Sequence, residues 1–105
     1  MTPRWTFPIA ALLMAGISVS AQAATIQITM ENLVFSPAEV SARVGDSIEW
    51  INKDVFVHTA TARNGDFDVT IPPKKTVTSV LKKAGAIDYY CRFHPNMKAV
   101  LTIAP

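Results

Sequence analysis

Polar and apolar residues alternate along several short segments of the chain, with the two-residue period of a half-buried β-strand. The pattern is clearest over Thr25–Met30 and over Ser47–Asn52, where Ile48 and Trp50 fall on one face. From residue 24 onward no segment holds a clear apolar repeat of 3.6 residues, so the pattern gives no support for a helix. The alternation therefore predicts a chain built from strands.

Turn-forming residues separate these segments, most clearly at Ser36-Pro37, Gly45-Asp46 and Asn64-Gly65. Further strands are predicted between the turns, over Leu33–Phe35, Val40–Val44, Val55–Ala62, Phe67–Ile71, Thr76–Leu81, Ala86–Cys91 and Lys98–Ile103. Seven or eight short strands with turns at regular intervals predict an all-β sandwich in a single domain.

The amino-terminal segment has a different pattern. Arg4 precedes an apolar run from Phe7 to Val19, and Ala21-Gln22-Ala23 places small residues where a signal peptidase reads. This order predicts a secretory signal peptide over residues 1–23, cleaved after Ala23, and a mature domain over residues 24–105. The alternative is a membrane anchor or buried helix, but the run is short for a bilayer span, which needs about 20 residues. We expect a periplasmic protein whose mature chain has no stable membrane insertion.

Composition excludes several classes of function. The net charge is only +2 and no basic run exceeds a Lys-Lys pair, which argues against nucleic-acid binding. One cysteine excludes an internal disulfide and an all-cysteine zinc or iron–sulfur site. Two histidines exclude a trinuclear copper cluster. Because no acid–base pair or open metal position is evident, an enzyme is the least favoured class.

The lone cysteine, both histidines and one methionine form a candidate metal site. Cys91, His94 and Met97 stand close together between the last two predicted strands, and His58 lies upstream, after the Trp50 strand. Because loops at one end of a sandwich converge, His58 can meet this segment in space. Two imidazoles, a thiolate and a weak thioether are the ligand set of a blue-copper electron-transfer centre.

Each of these four side chains also has an ordinary structural use. A single cysteine or methionine is most often part of the core, and a single histidine most often lies at the surface or is buried with a partner. Independent structural roles would not bring the only cysteine and both histidines into one ligand set. The coincidence therefore favours the metal site.

The Cys-x-x-His-Pro-x-Met segment, Cys91–Met97, resembles the ligand loop of the cupredoxins, the small type 1 copper proteins, and is most similar to the amicyanins. Phe35–Pro37, Val44–Asp46, Trp50–Asn52 and Gly85–Cys91 match the family in the same order. The resemblance implies a Greek-key β-sandwich that binds one copper ion, as Cu(I) or Cu(II). The ligands that it implies are His58, Cys91, His94 and Met97.

The resemblance also implies a function, which is one-electron transfer between redox proteins. Such partners are a c-type cytochrome and a periplasmic dehydrogenase or reductase, and the carrier is expected to be a monomer. Phe93, Pro95 and Met97 are expected to form an apolar patch around His94, flanked by Arg92 and Lys98. The alternatives are a periplasmic copper-binding or delivery module without a dedicated electron-transfer role, and a protein-contact domain with a vestigial copper site.

Two positions depart from the family pattern. Thr59 follows the first histidine, where the family commonly has an asparagine that ties the ligand loops together and donates toward the cysteine sulfur. A threonine hydroxyl could replace that tie. Phe93 stands where the family often has proline, so the loop's rigidity and surface chemistry are expected to differ. Tyr89 resembles a tyrosine-corner residue, for which we expect a structural role.

Overall fold

The computed structural model of the chain describes residues 22–105, which form two β-sheets and, within that range, no helix. The strands are β1 (Thr25–Glu31), β2 (Val34–Ser36), β3 (Glu39–Arg43), β4 (Ser47–Asn52), β5 (His58–Ala62), β6 (Asp68–Ile71), β7 (Thr76–Val80), β8 (Gly85–Cys91) and β9 (His94–Ala104). The predicted all-β sandwich is confirmed, with nine strands instead of seven or eight.

The predicted signal peptide falls mostly on residues 1–21, which lie outside the described residues. From residue 22 to residue 105 the chain forms no helix of the length and apolar character that a membrane span requires.

The two sheets place the ends of distant strands side by side. The four-stranded sheet has the order β2-β1-β4-β7, and the five-stranded sheet has the order β3-β9-β8-β5-β6. The pairs β1–β4 and β3–β9 are parallel, so they need long crossover connections instead of hairpins. Strand β5, which starts at His58, lies antiparallel to β8, which ends at Cys91. The pairing therefore brings the start of one strand to the end of the other.

The core between the sheets follows from the alternation along the strands. In β4, Ile48, Trp50 and Asn52 are buried while their neighbours are half-buried. Trp50 and Phe35 of the first sheet meet Tyr89 of the second in edge-to-face contacts, with ring centroids 5.4 and 4.8 Å apart. Each such aromatic pair contributes about 0.5–1.5 kcal/mol beyond the burial of its surface.

The Tyr89 hydroxyl is buried without a hydrogen-bond partner, the only such side-chain atom within residues 22–105. Burial raises the pKa of Tyr89 well above its usual value. A tyrosine corner requires a hydrogen bond from this hydroxyl to the backbone. That part of the prediction is therefore wrong, and Tyr89 contributes to the structure through its ring.

The predicted strand over Val55–Ala62 begins only at His58, because a buried amide holds the preceding residues in a loop. The Asn52 side-chain nitrogen donates to the Phe56 carbonyl at 2.8 Å, and its oxygen accepts from the Asp54 N–H at 2.9 Å. These bonds engage backbone groups that a strand would use in its ladder. Val55 and Phe56 are consequently exposed despite their strong strand preference.

Candidate metal centre

Three donor atoms converge at the end of the sandwich where β5 begins and β8 ends. The Cys91 Sγ lies 3.6 Å from the His58 Nδ1 and 3.7 Å from the His94 Nδ1. The potential ligand atoms of all three residues lie within 4.8 Å of one another. His58 and Cys91 are buried, whereas His94 is half-buried at the surface. The structure therefore brings together three of the four residues singled out in the sequence.

The spacing of these atoms suits a small transition-metal ion. Bond lengths of about 2.0–2.1 Å to nitrogen and 2.3 Å to sulfur, at angles between tetrahedral and trigonal, separate the two atoms by about 3.6–3.8 Å. The two sulfur–nitrogen distances fall in that range. The donor set of two imidazoles and a thiolate also suits copper. His58, Cys91 and His94 could therefore bind a copper ion.

A carboxylate fixes the orientation of His58. The His58 Nε2–H donates to the Asp54 Oδ2 at 2.8 Å, which leaves the Nδ1 lone pair toward the cysteine sulfur. The carboxylate also accepts the backbone N–H groups of Asn32 at 2.7 Å and Leu33 at 3.0 Å. Asn32 and Leu33 both have positive φ angles, so a strained turn presents its N–H groups to Asp54.

The ionised form of Asp54 is the favoured one. Burial by itself raises the pKa of this carboxyl group, but the hydrogen bonds from His58, Leu33 and Asn32 outweigh it. The pKa of Asp54 therefore lies below its usual value. The sequence suggested only a turn at Lys53-Asp54. An acidic residue four positions before a candidate ligand was the available signal for this role.

Thr59 links the two ligand segments through both its backbone and its side chain. Its N–H donates to the Cys91 Sγ at 3.4 Å, and its Oγ1 accepts from the Arg92 N–H at 2.9 Å. Thr59 is completely buried. The hydroxyl therefore supplies the tie that was expected of it as a replacement for asparagine, and the bond to the sulfur comes from the backbone.

A short polar chain continues from Thr59 to the surface. The Thr59 and Thr61 hydroxyl oxygens lie 2.9 Å apart, and the Thr61 hydroxyl donates to the Asp68 Oδ1 at 2.7 Å. Because Thr61 uses its hydrogen on Asp68, the Thr59 hydroxyl donates to Thr61 while it accepts from Arg92. The Arg92 Nε returns to the Asp68 Oδ1 at 3.3 Å and closes the network.

The segment that holds His94 and Met97 is an irregular part of β9 instead of a free loop. Cys91 pairs with His94, while Tyr90 pairs with Lys98, so the residues between His94 and Lys98 form a bulge. The bulge carries Met97, whose side chain is 3% exposed. Met97 borders the same surface depression as His94, together with Leu33, Phe93, Pro95 and Asn96. The methionine is thus buried on the strand that carries His94 and borders the same depression.

The exposed rim around His94 differs from the patch that the sequence suggested. Phe93 is 52% exposed and belongs to it, but Met97 is buried and does not. Phe56 packs edge-to-face on the His94 ring with centroids 5.7 Å apart, and Leu33 is also exposed beside it. Residues far apart in the sequence therefore complete the apolar rim, which a search of the ligand segment alone misses.

Comparison with protein families and curated relatives identifies the family of the chain. The profile of the family described as a cupredoxin-like domain matches residues 5–103. The methylamine utilization protein MauL of Methylorubrum extorquens is 26% identical over 98 residues, which cover 90% of this chain and 86% of that protein. The chloroplastic plastocyanin of Tetradesmus obliquus is 31% identical over 102 residues, which cover 81% of this chain and 70% of that protein.

Solved structures show the same fold. The amicyanin of Paracoccus versutus superposes with a TM-score of 0.64 at 23% identity, over 82% of this chain and 85% of that one. A copper-containing nitrite reductase from Thermus scotoductus SA-01 superposes with a TM-score of 0.69 at 22% identity, over 77% of this chain and 22% of that one. The second comparison shows that this fold also occurs as part of a larger enzyme.

Proposed function

The chain belongs to the cupredoxin-like domain family, and we propose that it is a periplasmic one-electron carrier with one type 1 copper ion. Members of the family are electron carriers. The observation that carries the proposal is the convergence of the His58, Cys91 and His94 donor atoms within 4.8 Å. Met97, which is buried on β9 and borders the same depression as His94, would be the weak fourth ligand.

The bound copper would supply a one-electron couple between Cu(I) and Cu(II). The chain's own contribution is to hold the ligands still. Asp54 fixes the His58 ring, and the Thr59 N–H and the β8–β9 pairing fix Cys91. Ligands that are anchored in the fold need little movement when an electron arrives, and this keeps the rate of transfer high.

His94 is the expected point of electron entry and exit, because it is the ligand that reaches the surface. Leu33, Phe56 and Phe93 give it an apolar rim that could pack against a redox protein. Arg92 already contacts Asp68, so it offers less unpaired charge to a partner than the sequence suggested. A c-type cytochrome and a periplasmic dehydrogenase or reductase are the proposed partners of a monomeric carrier.

Absence of catalysis is part of the proposal. Three strong ligands with a buried methionine beside them leave no evident position for a substrate, whereas catalytic metal sites keep one open. Export to the periplasm is also part of the proposal, and the signal-peptide pattern over residues 1–23 supports it. Copper delivery is the competing function, which the reduced protein can test.

The decisive experiment is addition of Cu(II) to the purified mature chain, followed by visible spectroscopy. We expect an intense blue absorption from sulfur-to-copper charge transfer. The matched variant, Cys91→Ser, should bind copper without showing that band. A colourless wild-type protein, or a band that Cys91→Ser retains, would falsify the proposal.

A second measurement separates a carrier from a delivery module. We expect reversible voltammetry, with the ion retained through repeated reduction and reoxidation, because a carrier must hold both oxidation states. Loss of the ion to a weak Cu(I) chelator after reduction would instead support delivery. Met97→Leu is the matched variant, and it should alter the potential while leaving the blue band in place.

A further inference from the structure

A second hydrogen-bonded carboxylate, Asp46, is buried just before β4, at the end of that strand far from the candidate metal centre. Its Oδ1 accepts the Ala24 N–H at 2.8 Å, and its Oδ2 accepts the Arg43 N–H at 2.9 Å. The hydrogen bonds from Ala24 and then Arg43 hold the pKa of Asp46 below its usual value. The carboxylate is therefore ionised at neutral pH.

The surrounding backbone places Asp46 rigidly. The Leu81 N–H donates to the Asp46 carbonyl at 2.8 Å, and the Gly45 N–H donates to the Leu81 carbonyl at 2.8 Å. Ala24 is held from the other side, because its carbonyl accepts the Ser47 N–H at 2.9 Å. The Ala24 nitrogen and the Asp46 carboxylate are thus brought together by the parallel pairing of β1 and β4.

Ala24 is also the first residue of the mature domain that the signal-peptide pattern predicts. We propose that Asp46 is the receptor for the α-ammonium group of Ala24, which forms when the chain is cut between Ala23 and Ala24. The inference rests on the proposed cleavage after Ala23 and does not depend on copper. Gln22, Ala23 and Ala24 are exposed in the folded chain.

Cleavage changes the chemistry of a nitrogen that the fold already holds against Asp46. Signal peptidase breaks the bond between the Ala23 carbonyl carbon and the Ala24 nitrogen by addition of water. The Ala23 carbonyl carbon takes the oxygen of the water and becomes a carboxylate. The nitrogen gains two protons in total, so that an uncharged donor with one hydrogen becomes an ammonium group with three. The existing 2.8 Å contact, in which only the acceptor is charged, then becomes a charge-assisted hydrogen bond between an ammonium donor and a carboxylate acceptor.

The pH range of this effect follows from the two groups. An α-amino group titrates at about 7.7–8.0 when unperturbed, and a carboxylate partner raises the pKa of the folded form. The contribution of the α-amino group to stability is complete at pH values below its pKa in the unfolded chain. It is lost as the pH rises through the raised pKa of the folded chain. The contribution of Asp46 is lost as the pH falls through its lowered pKa. Ala24 and Asp46 line one surface depression, and among its described residues the other charged side chain is Arg43.

The test is a double-mutant cycle on the exported full chain. One form carries the natural sequence, and the other has Gly-Ser inserted directly after Ala23, so that the Ala24 nitrogen stays an amide after cleavage. Each form is made with Asp46 and with Asp46→Asn, and mass spectrometry establishes where each purified chain begins. Urea unfolding near pH 6.5 then gives the unfolding equilibrium constant of all four.

We expect the insertion to raise the unfolding equilibrium constant about tenfold when Asp46 is present, which corresponds to one pKa unit of coupling. In the Asp46→Asn background the insertion should have no effect. An equal effect in both backgrounds, no effect in either, or a natural-sequence mature chain that begins elsewhere than Ala24 would overturn the proposal. The blue-copper spectrum is read separately, so failure here does not bear on the electron-carrier function.

A direct titration keeps the proposal testable if Asp46→Asn does not fold. The pKa of the Ala24 α-amino group in the natural mature chain can be followed by NMR. We expect a value clearly above the ordinary range, and an ordinary value in urea. An unshifted pKa in the folded chain would overturn the proposal by itself.

Discussion

Strand β4 has a carboxylate near each of its ends, Asp46 buried and Asp54 half-buried, and the two differ in one hydrogen-bond donor. Asp46, before the strand, accepts only backbone N–H groups, those of Ala24 and Arg43. Asp54, after the strand, accepts two backbone N–H groups and also the imidazole of a candidate metal ligand, His58. A carboxylate that accepts backbone N–H groups therefore stabilises a turn at one end of β4, and at the other end it stabilises a turn and also orients a candidate metal ligand.

This difference separates stability from function in the molecule. A change at Asp46 should affect folding and leave the donor atoms of the metal centre in place. A change at Asp54 should affect folding and the orientation of His58 together. Four measurements can sharpen or break that comparison, and they are ordered from the largest expected effect to the smallest.

The largest effect is expected from Asp54→Ala. The substitution leaves two backbone N–H groups and the His58 Nε2–H without their acceptor, so we expect a loss of about 2–3 kcal/mol of stability. Copper affinity should fall about 10- to 100-fold, because outer partners of ligand histidines have effects of that size. Urea unfolding of the metal-free protein and competition with a copper chelator measure the two quantities.

Asp46→Ala is the matched control for that variant. It should lower the urea midpoint of the metal-free protein while leaving the copper affinity and the blue absorption unchanged. An equal loss of copper affinity in both variants would show that the two ends are not independent. The distinction between a structural carboxylate and an orienting one would then fail.

Acid should lower the stability of the metal-free protein, because it protonates the carboxylates at both ends of β4. The folded pKa values of Asp46 and Asp54 are both lowered, so their contributions are present above the unfolded pKa of about 3.9 and are lost as the pH falls through the folded values. We expect the urea midpoint to drop below about pH 4. Asp46→Asn and Asp54→Asn should each flatten the drop, and a profile unchanged by both would contradict the argument.

A smaller effect is expected from Thr59→Val, which keeps the backbone bond to the Cys91 sulfur but removes the hydroxyl. The Arg92 N–H would lose its acceptor in a partly buried position, at a cost of about 1–2 kcal/mol. Thr61→Val is the control, since it interrupts the same series of hydrogen bonds one hydroxyl group further from the ligands. We expect a shift of the copper absorption band in Thr59→Val and none in Thr61→Val.

The smallest effect on stability is expected at the surface. Leu33 beside His94 and Val44 beside the Asp46 turn are each 41% exposed, so Leu33→Ser and Val44→Ser form a matched pair. Each should change stability by about 0.5 kcal/mol or less. Only Leu33→Ser should slow electron self-exchange between Cu(I) and Cu(II) protein, measured by NMR line broadening. Equal rates in the two variants would remove the apolar rim from the proposed mechanism.

The strands that alternate most regularly were the easiest to predict. Ser47–Asn52 was predicted as a strand with Ile48 and Trp50 on one face, and both side chains are fully buried. The hairpin signal at Asn64-Gly65 is also confirmed, because β5 and β6 pair on either side of it. These features depend on neighbouring residues alone, and this is why a local pattern predicts them.

The errors have a common cause in contacts between distant residues. Val55–Val57 favours a strand by composition, but the Asn52 side chain holds the segment as a loop. Met97 was expected at the surface, but a bulge in β9 turns it into the interior. Local preference cannot predict these outcomes, because the deciding hydrogen bonds and packing partners come from elsewhere in the chain.

The sequence by itself determined the strand-rich character of the chain and the chemical types of its candidate ligands. A thiolate, two imidazoles and a thioether are properties of side chains, and their presence needs no fold. Only the tertiary structure decided the distances, because the pairing of β5 with β8 places the Cys91 Sγ 3.6 Å from the His58 Nδ1. It also decided which carboxylate orients a ligand, since Asp46 and Asp54 both look like turn residues until their hydrogen-bond donors are known.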